Sequence, residues 1–341
     1  MKLKKITYFS IIFALIFLLF SCATTVNVRM TRPAKLDLQG AKTISVLPFK
    51  PSSSYSSLTE SDNAVLFVIG TFFQIFDYNN PYEEKLLTYL KSSIEEGLAS
   101  SQYIDLVSSV SVQNALKNNK RAPVDVYLVG ATSDFYVNDS HDVEKKKITD
   151  EYYNEDGRLI KAKYEYKDKY KRTARLSFNY QLVDASTGKV IAYRNFSIDN
   201  TSGSYSSKSE LPNPYDMLKY KISYKAEDIL KELQPYVITK SIRLLEDKSK
   251  NEAFKYANEL AKKGYIDESY QAFYNLYFAT GMMEAGYNAA MLDMARGNLS
   301  MAEKMMKELL SIYQDERILI GLSDIQNEIN LANQLHSQTG Y

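Results

Sequence analysis

The chain of 341 residues contains no tryptophan, two histidines and one cysteine. A single cysteine cannot close an internal disulfide and cannot build a thiolate zinc cluster. Two histidines leave little material for a histidine metal site or a catalytic triad. His141 lies in a polar stretch (NDSHD) that reads as a loop, and His336 lies near the end of the last helical segment. Both are read as surface side chains. An excess of charge of one sign is also missing: 42 basic residues face 41 acidic ones. No global basic field is therefore available to attract nucleic acid. The phosphate-cradling patterns G-x-x-x-x-G-K-[ST] and G-x-G-x-x-G do not occur, nor do G-x-S-x-G and H-E-x-x-H. Carboxylates are plentiful, but no pair is singled out by its spacing. The expectation is a protein that is not an enzyme, with no metal and no cofactor.

What is present begins at the amino terminus. Lys2, Lys4 and Lys5 precede an apolar run from Ile11 to Phe20, followed by Ser21-Cys22. The run is shorter than the ~20 residues of a membrane-spanning helix and has the layout of a secretory signal peptide. Leu19-Phe20-Ser21-Cys22 resembles a bacterial lipobox, with Phe20 departing from the usual small residue. The resemblance implies that residues 1–21 are removed and that Cys22 carries lipid. The other reading is a buried free cysteine behind an ordinary signal sequence. Without the three lysines of the leader the charge balance is 39 basic to 41 acidic. The acyl chains, not surface charge, would then do the anchoring. Ala23 after the cysteine implies, by the same resemblance, the outer rather than the inner membrane, facing the periplasm.

Residues 22–40 read as a lipidated tether, and residues 41–248 as an α/β domain. Lys42–Phe49 reads as a buried strand ended by Pro48 and Pro51. Ala64–Phe76 is an apolar run with two readings: a core-packed helix or strand, or an exposed contact with lipid or a sister subunit. Asn80-Pro81-Tyr82-Glu83 opens a helix, with Asn80 as cap, Pro81 at N1 and Glu83 placed for a capping box. Strands are expected at Tyr103–Val107 and Val124–Ala131, with a short helix at Val112–Leu116 between them. From Ile160 to Leu182 the even positions are mostly apolar or aromatic, and the odd positions from Lys161 to Gln181 are all polar. Such alternation predicts a long strand with one wet face. The turn signal Glu155-Asp156-Gly157-Arg158 makes Ile148–Tyr153 its expected hairpin partner. After Ser186-Thr187-Gly188-Lys189, the segment Val190–Ile198 returns antiparallel. Asn213-Pro214 caps a second long helix that Pro235 ends, and Tyr236–Leu245 reads as a last strand or a helical lead-out.

Residues 249–341 read as purely helical. Gly264–Ser269 aligns with Gly297–Ala302 at an offset of thirty-three, and Phe273 and Leu276 align with Met306 and Leu309. The glycine, small and apolar positions resemble a tetratricopeptide repeat, whose period is about 34. A plain antiparallel bundle is the other reading. The methionines between Met282 and Met306 are read as core filler.

Three phrases carry a wider resemblance: AKTISVLPF (Ala41–Phe49), VDVYLVGATSDF (Val124–Phe135) and LVDASTGKVIAYRNFSI (Leu182–Ile198). Together with the element order they resemble the curli secretion channel (CsgG-like) family and the related lipoproteins that activate penicillin-binding proteins. The resemblance implies a mixed sheet with flanking helices and a long β-hairpin, followed by the tetratricopeptide-like helical domain. It also implies a protein partner in the envelope, a cell-envelope synthase or a secretion component, with homo-oligomers open. The function expected is that of a lipid-anchored binding or assembly factor. A subunit of an oligomeric export channel is the alternative. Asp168 and Arg172 interrupt the apolar side of the hairpin, and a charge facing lipid at mid-membrane costs about 2–4 kcal/mol.

Overall fold

A computed structural model describes residues 24–38, 40–54, 80–118 and 120–340. The leader, Cys22 and the apolar segment 64–76 lie outside the described residues. The chain divides into two compact units, one over Ala34–Gln234 and a second joining the segment up to Pro33 with Pro235 onward. This differs from the expected boundary at residue 248.

The first unit is built on a five-stranded mixed sheet. Its strands are β2 (Thr43–Val46), β3 (Asp105–Leu106), β4 (Val126–Thr149), β7 (Lys163–Asp184) and β8 (Val190–Thr201), in spatial order β3-β2-β4-β7-β8. β2 runs parallel to β3 and β4, while β4, β7 and β8 are antiparallel in turn. The helices α1 (Pro81–Ala99) and α3 (Pro214–Leu233) bury their apolar stripes on one face of this sheet. Leu86, Leu90, Ile94, Leu218, Ile222 and Ile229 meet Leu128, Leu176, Phe178 and Leu182 there. The other face carries a smaller cluster of Leu47, Tyr127, Val129 and Val183 with Val112 of α2 (Ser109–Lys117). Both faces of β4 and β7 are thus covered at their root, which is why Val126–Ala131 is a continuous apolar run.

Local chemistry sets the ends of these elements. Asn80 and Asn213 accept backbone N–H bonds from Tyr82 and Asp216, each just before a proline at the first helical turn. Glu83 does not complete the expected capping box. It is buried, and its carboxylate accepts from the Ser52 amide at 2.7 Å and the Ser52 hydroxyl at 3.0 Å. Gly97 permits close packing of α1 on α3, since a Cβ there would collide with Leu230. In the β7–β8 turn the Asp184 carboxylate accepts from Ser186 and Thr187, and these bonds hold its pKa down at about 2.

Among its described residues the second unit is helical apart from one ribbon. Residues 25–32, expected in a tether, form strand β1 (Thr25–Arg32), which pairs antiparallel with β9 (Tyr236–Arg243) along its whole length. β9 is therefore a strand, but it belongs to this ribbon and not to the main sheet. Five helices follow: α4 (Glu252–Lys262), α5 (Ile266–Thr280), α6 (Met283–Ala295), α7 (Leu299–Tyr313) and α8 (Glu316–Thr339). Each packs on the next in sequence. Val26 and Ile242 of the ribbon enter their core. Arg32 on β1 makes a bidentate pair with Glu328 of α8 at 2.6 and 2.9 Å, and Lys240 on β9 donates to the same carboxylate at 2.7 Å. Burial raises the pKa of Glu328, but these cations more than offset it and hold the carboxyl below its ordinary range.

The offset of thirty-three is structural. Gly264 and Gly297 both take a left-handed turn conformation, at φ +80° and +85°. Gly281 and Gln314 end α5 and α7 in the same way, again thirty-three apart. Ser269 and Ala302 are both fully buried, as are Phe273 and Met306. The small residues let successive helices approach. Met283, Met291, Met294 and Met306 are core residues, whereas Met301 is exposed.

Candidate functional site

The most distinctive element is the hairpin of β4 and β7. The expected partner, Ile148–Tyr153, is only the far end of it. β4 runs unbroken for 24 residues from the centre of the sheet, through Asn138 and His141, to Thr149. His141 is therefore a strand residue and not part of a loop. Up to Thr132 the even positions of β4 face the α1/α3 core; beyond a register shift between Thr132 and Asp134 the odd positions do. Ser133 is the extra residue, and its hydroxyl donates to the Ser177 carbonyl at 3.2 Å. This bulge brings Phe135 and Val137 onto the core side opposite Leu176 and Ala174.

The hairpin then leaves the sheet as a two-stranded arm. At its base Asp139 lies opposite Arg172. The guanidinium donates to both carboxylate oxygens, at 2.6 and 2.8 Å, and to the Pro212 carbonyl at 3.1 Å. That bidentate bond holds the Asp139 carboxyl below its usual range and the Arg172 pKa above its own. One step out, His141 Nε2 is 2.7 Å from Asp168 Oδ1, and the imidazole stacks on Tyr170 at 4.5 Å. Asp168 and Arg172, which interrupt the alternation in the sequence, thus each have a cross-strand partner. The Asp139–Arg172 pairing could be located from the turn at 155–158, since the two residues are nearly equidistant from it.

Farther out the ladder has two unlike faces. One carries Val143, Lys145, Lys147, Tyr164, Tyr166 and Asp168, with the Lys145 ammonium 4.0 Å above the Tyr164 ring. The opposite face is charged, and Lys169 pairs with Glu144 at 3.0 Å. At the tip β5 (Tyr152–Tyr153) pairs with β6 (Leu159–Ile160) around a turn in which Gly157 has φ +72°. Tyr152, Tyr153, Leu159, Ile160 and Tyr166 are exposed, Tyr153 at 73%. The outer edge of β7 is bonded near the base of the arm, where Tyr170 bridges Tyr205 and the Arg172 backbone exchanges bonds with Ser202. A ribbon of this kind offers open backbone edges, aromatic faces and a small apolar tip, which are the means of binding another chain or a surface.

The helical unit offers a second apolar surface. Tyr270, Tyr274 and Phe278 follow one another along α5 with ring contacts of 5.7 and 4.7 Å, beside an open groove of about 280 Å³. Arg296 lies 4.4 Å from the Tyr270 ring. His336 lies in the last turn of α8. Among the described residues no group of three or more His, Cys, Asp or Glu side chains is placed to hold a metal ion. None of their helices is long and apolar enough to cross a membrane.

No protein-family model matches the chain, and no curated protein matches it. Solved structures resemble parts of it. The PelC dodecamer from Paraburkholderia phytofirmans is 14% identical, with 62% of this chain and 97% of that one covered at a TM-score of 0.24. Protein XCC0632 from Xanthomonas campestris is 10% identical over 59% of this chain and 83% of its own, with a TM-score of 0.26. Lipoprotein GNA1162 from Neisseria meningitidis is 13% identical over 55% and 97%, with a TM-score of 0.24.

Proposed function

We propose that this chain is a lipid-anchored, non-enzymatic accessory protein of the outer membrane, held through Cys22, facing the periplasm and docking an envelope protein partner. The partner would be a cell-envelope synthase or a secretion and assembly component. The observation that carries the reading is the arm: a ribbon that continues from the best-buried strands of the sheet and ends in exposed tyrosine, leucine and isoleucine. A rigid root and an exposed apolar tip suit a docking element, because little order has to be gained on binding. The lipobox-like Leu19–Cys22 supports the anchor. The helical repeat and its aromatic groove would extend the docking surface in the manner of a tetratricopeptide-like tail. An export-channel subunit fits less well. The Arg172–Asp139 and His141–Asp168 pairs lie on the side of the arm that continues the apolar face of its root.

A photo-crosslinker at Tyr166 tests this in intact cells. The expected result is an adduct with one defined envelope protein, lost when Tyr152, Tyr153, Leu159 and Ile160 are all changed to serine. An adduct yield no higher than from a crosslinker at the exposed Val110 of α2 would remove the docking role. Replacing Cys22 by alanine should abolish labelling with an acyl analogue; persistent labelling would remove the anchor.

A further inference from the structure

Strand β1 leaves little chain between Cys22 and the folded second unit. β1 begins at Thr25, and all of its residues are paired with β9, Thr25 with Arg243 and Arg32 with Tyr236. Thr24 is itself buried, and its carbonyl accepts from the Leu244 amide at 2.8 Å. At its other end the strand is clasped by the Arg32–Glu328 pair, and its even-numbered side faces the helical core. Releasing β1 would break a complete ladder and a buried ion pair, so it does not serve as slack. Only Ala23 separates Cys22 from Thr24. Two residue steps span at most about 7 Å. The headgroup layer on each side of a bilayer is of similar thickness, about 5–7 Å.

We infer that the helical unit is seated directly on the membrane, with the surface around Thr24 and α4 in the phospholipid headgroup layer. The inference rests on the lipidation of Cys22 proposed above. A polar cavity of about 350 Å³ opens beside Thr24, with Lys250, Lys255, Asn258 and Lys262 among its walls. Glu252 and Glu259 also line it and pair with Lys255 at 3.9 Å and Lys262 at 3.0 Å. Interleaved charges of both signs suit a headgroup carrying both a phosphate and an ammonium, as in phosphatidylethanolamine. They do not form the polybasic patch that would draw the protein to anionic lipid by itself. Contact is imposed by the short span, and the surface is one that headgroups can tolerate.

The mature acylated chain has no thiol other than the one consumed at Cys22, so a single cysteine can be placed cleanly. A fluorophore on Lys255→Cys, in acylated protein reconstituted into phosphatidylethanolamine–phosphatidylglycerol vesicles, reports contact with a headgroup-attached quencher. The comparison position is Lys307→Cys, exposed on α7 and three helices farther along the stack. Quenching should be several-fold stronger at 255 than at 307. It should fall to the level at 307 when a Gly-Ser linker of about twelve residues, with a mean reach of about 20 Å, is inserted between Ala23 and Thr24. Equal, weak quenching at both positions in protein shown to be acylated overturns the seating and leaves the anchor intact. Strong quenching at 255 that survives the linker overturns the short span as its cause. Protein that carries no acyl chain overturns both the anchor and the seating.

Discussion

The two ends of the β4–β7 hairpin share one backbone ladder and one alternating sequence, yet their energetics differ throughout. At the root, Leu176, Phe178, Tyr180 and Leu182 are buried under α1 and α3, and the Tyr180 hydroxyl donates to Glu232 at 2.6 Å. Burial pushes the Tyr180 pKa up. On the arm, Tyr164 and Tyr166 occupy the same face of the same strand with water beyond them. Alternation decides which side chains share a face, but not whether anything covers that face. The root is therefore a stability element and the arm is a surface available for binding. The Asp139–Arg172 pair marks the boundary between them.

The largest effect should come from the root. Leu176→Ala removes a fully buried side chain and should lower the unfolding free energy by about 2–5 kcal/mol in denaturant titration. Tyr166→Ala, ten residues earlier on the same strand, should stay within about 0.5 kcal/mol. Equal losses would break the distinction. Arg172→Ala should fall between them, at about 1–2 kcal/mol, because it leaves a largely covered carboxylate without its bidentate partner.

Acid should act at the Asp139–Arg172 boundary, at the Asp184 turn and at Glu328. Asp139 and Asp184 both have carboxyl pKa values below their ordinary ones in the folded protein. Groups of this kind contribute stability above the unfolded pKa near 4, and that contribution is lost as pH falls through the folded value. For Asp184 the window runs from about 4 down to about 2. Unfolding free energy should therefore decline between those pH values, and Asp139→Asn or Asp184→Asn should each flatten the decline. An unchanged slope in both variants would show that neither bond survives in solution. The smallest effect on stability should come from changing Tyr152 and Tyr153 to serine, within about 0.5 kcal/mol, while crosslinking through the arm is reduced.

Much of the fold was legible because local chemistry and local periodicity coincide. The capped starts at Asn80 and Asn213, the strand from Lys163 to Asp184 and the thirty-three-residue offset in the helices all depend on neighbours close in sequence. The arm was only partly legible. The bulge at Ser133 shifts the parity of β4 in mid-strand, so Phe135 and Val137 do not continue the alternation of Val126 and Leu128. β1 is hard to distinguish from a tether in the sequence, because Val26, Val28 and Met30 make only a short pattern and its partner β9 lies more than two hundred residues away. Glu83 has the position of a capping residue, yet the Ser52 amide and hydroxyl claim its carboxylate.

By itself, the sequence determined the chemistry available: one cysteine set in a lipobox-like context, few histidines, balanced charge, a long alternating strand and a helical repeat. Each is a matter of composition or of spacing within a few turns of chain, where propensity and pattern act directly. Only the tertiary structure decided which apolar faces are covered, that Arg172 and Asp168 find partners across the hairpin, and that Thr25–Arg32 form a paired strand. Those outcomes depend on contacts between segments remote in sequence, whose energy is realised only when the whole fold brings them together.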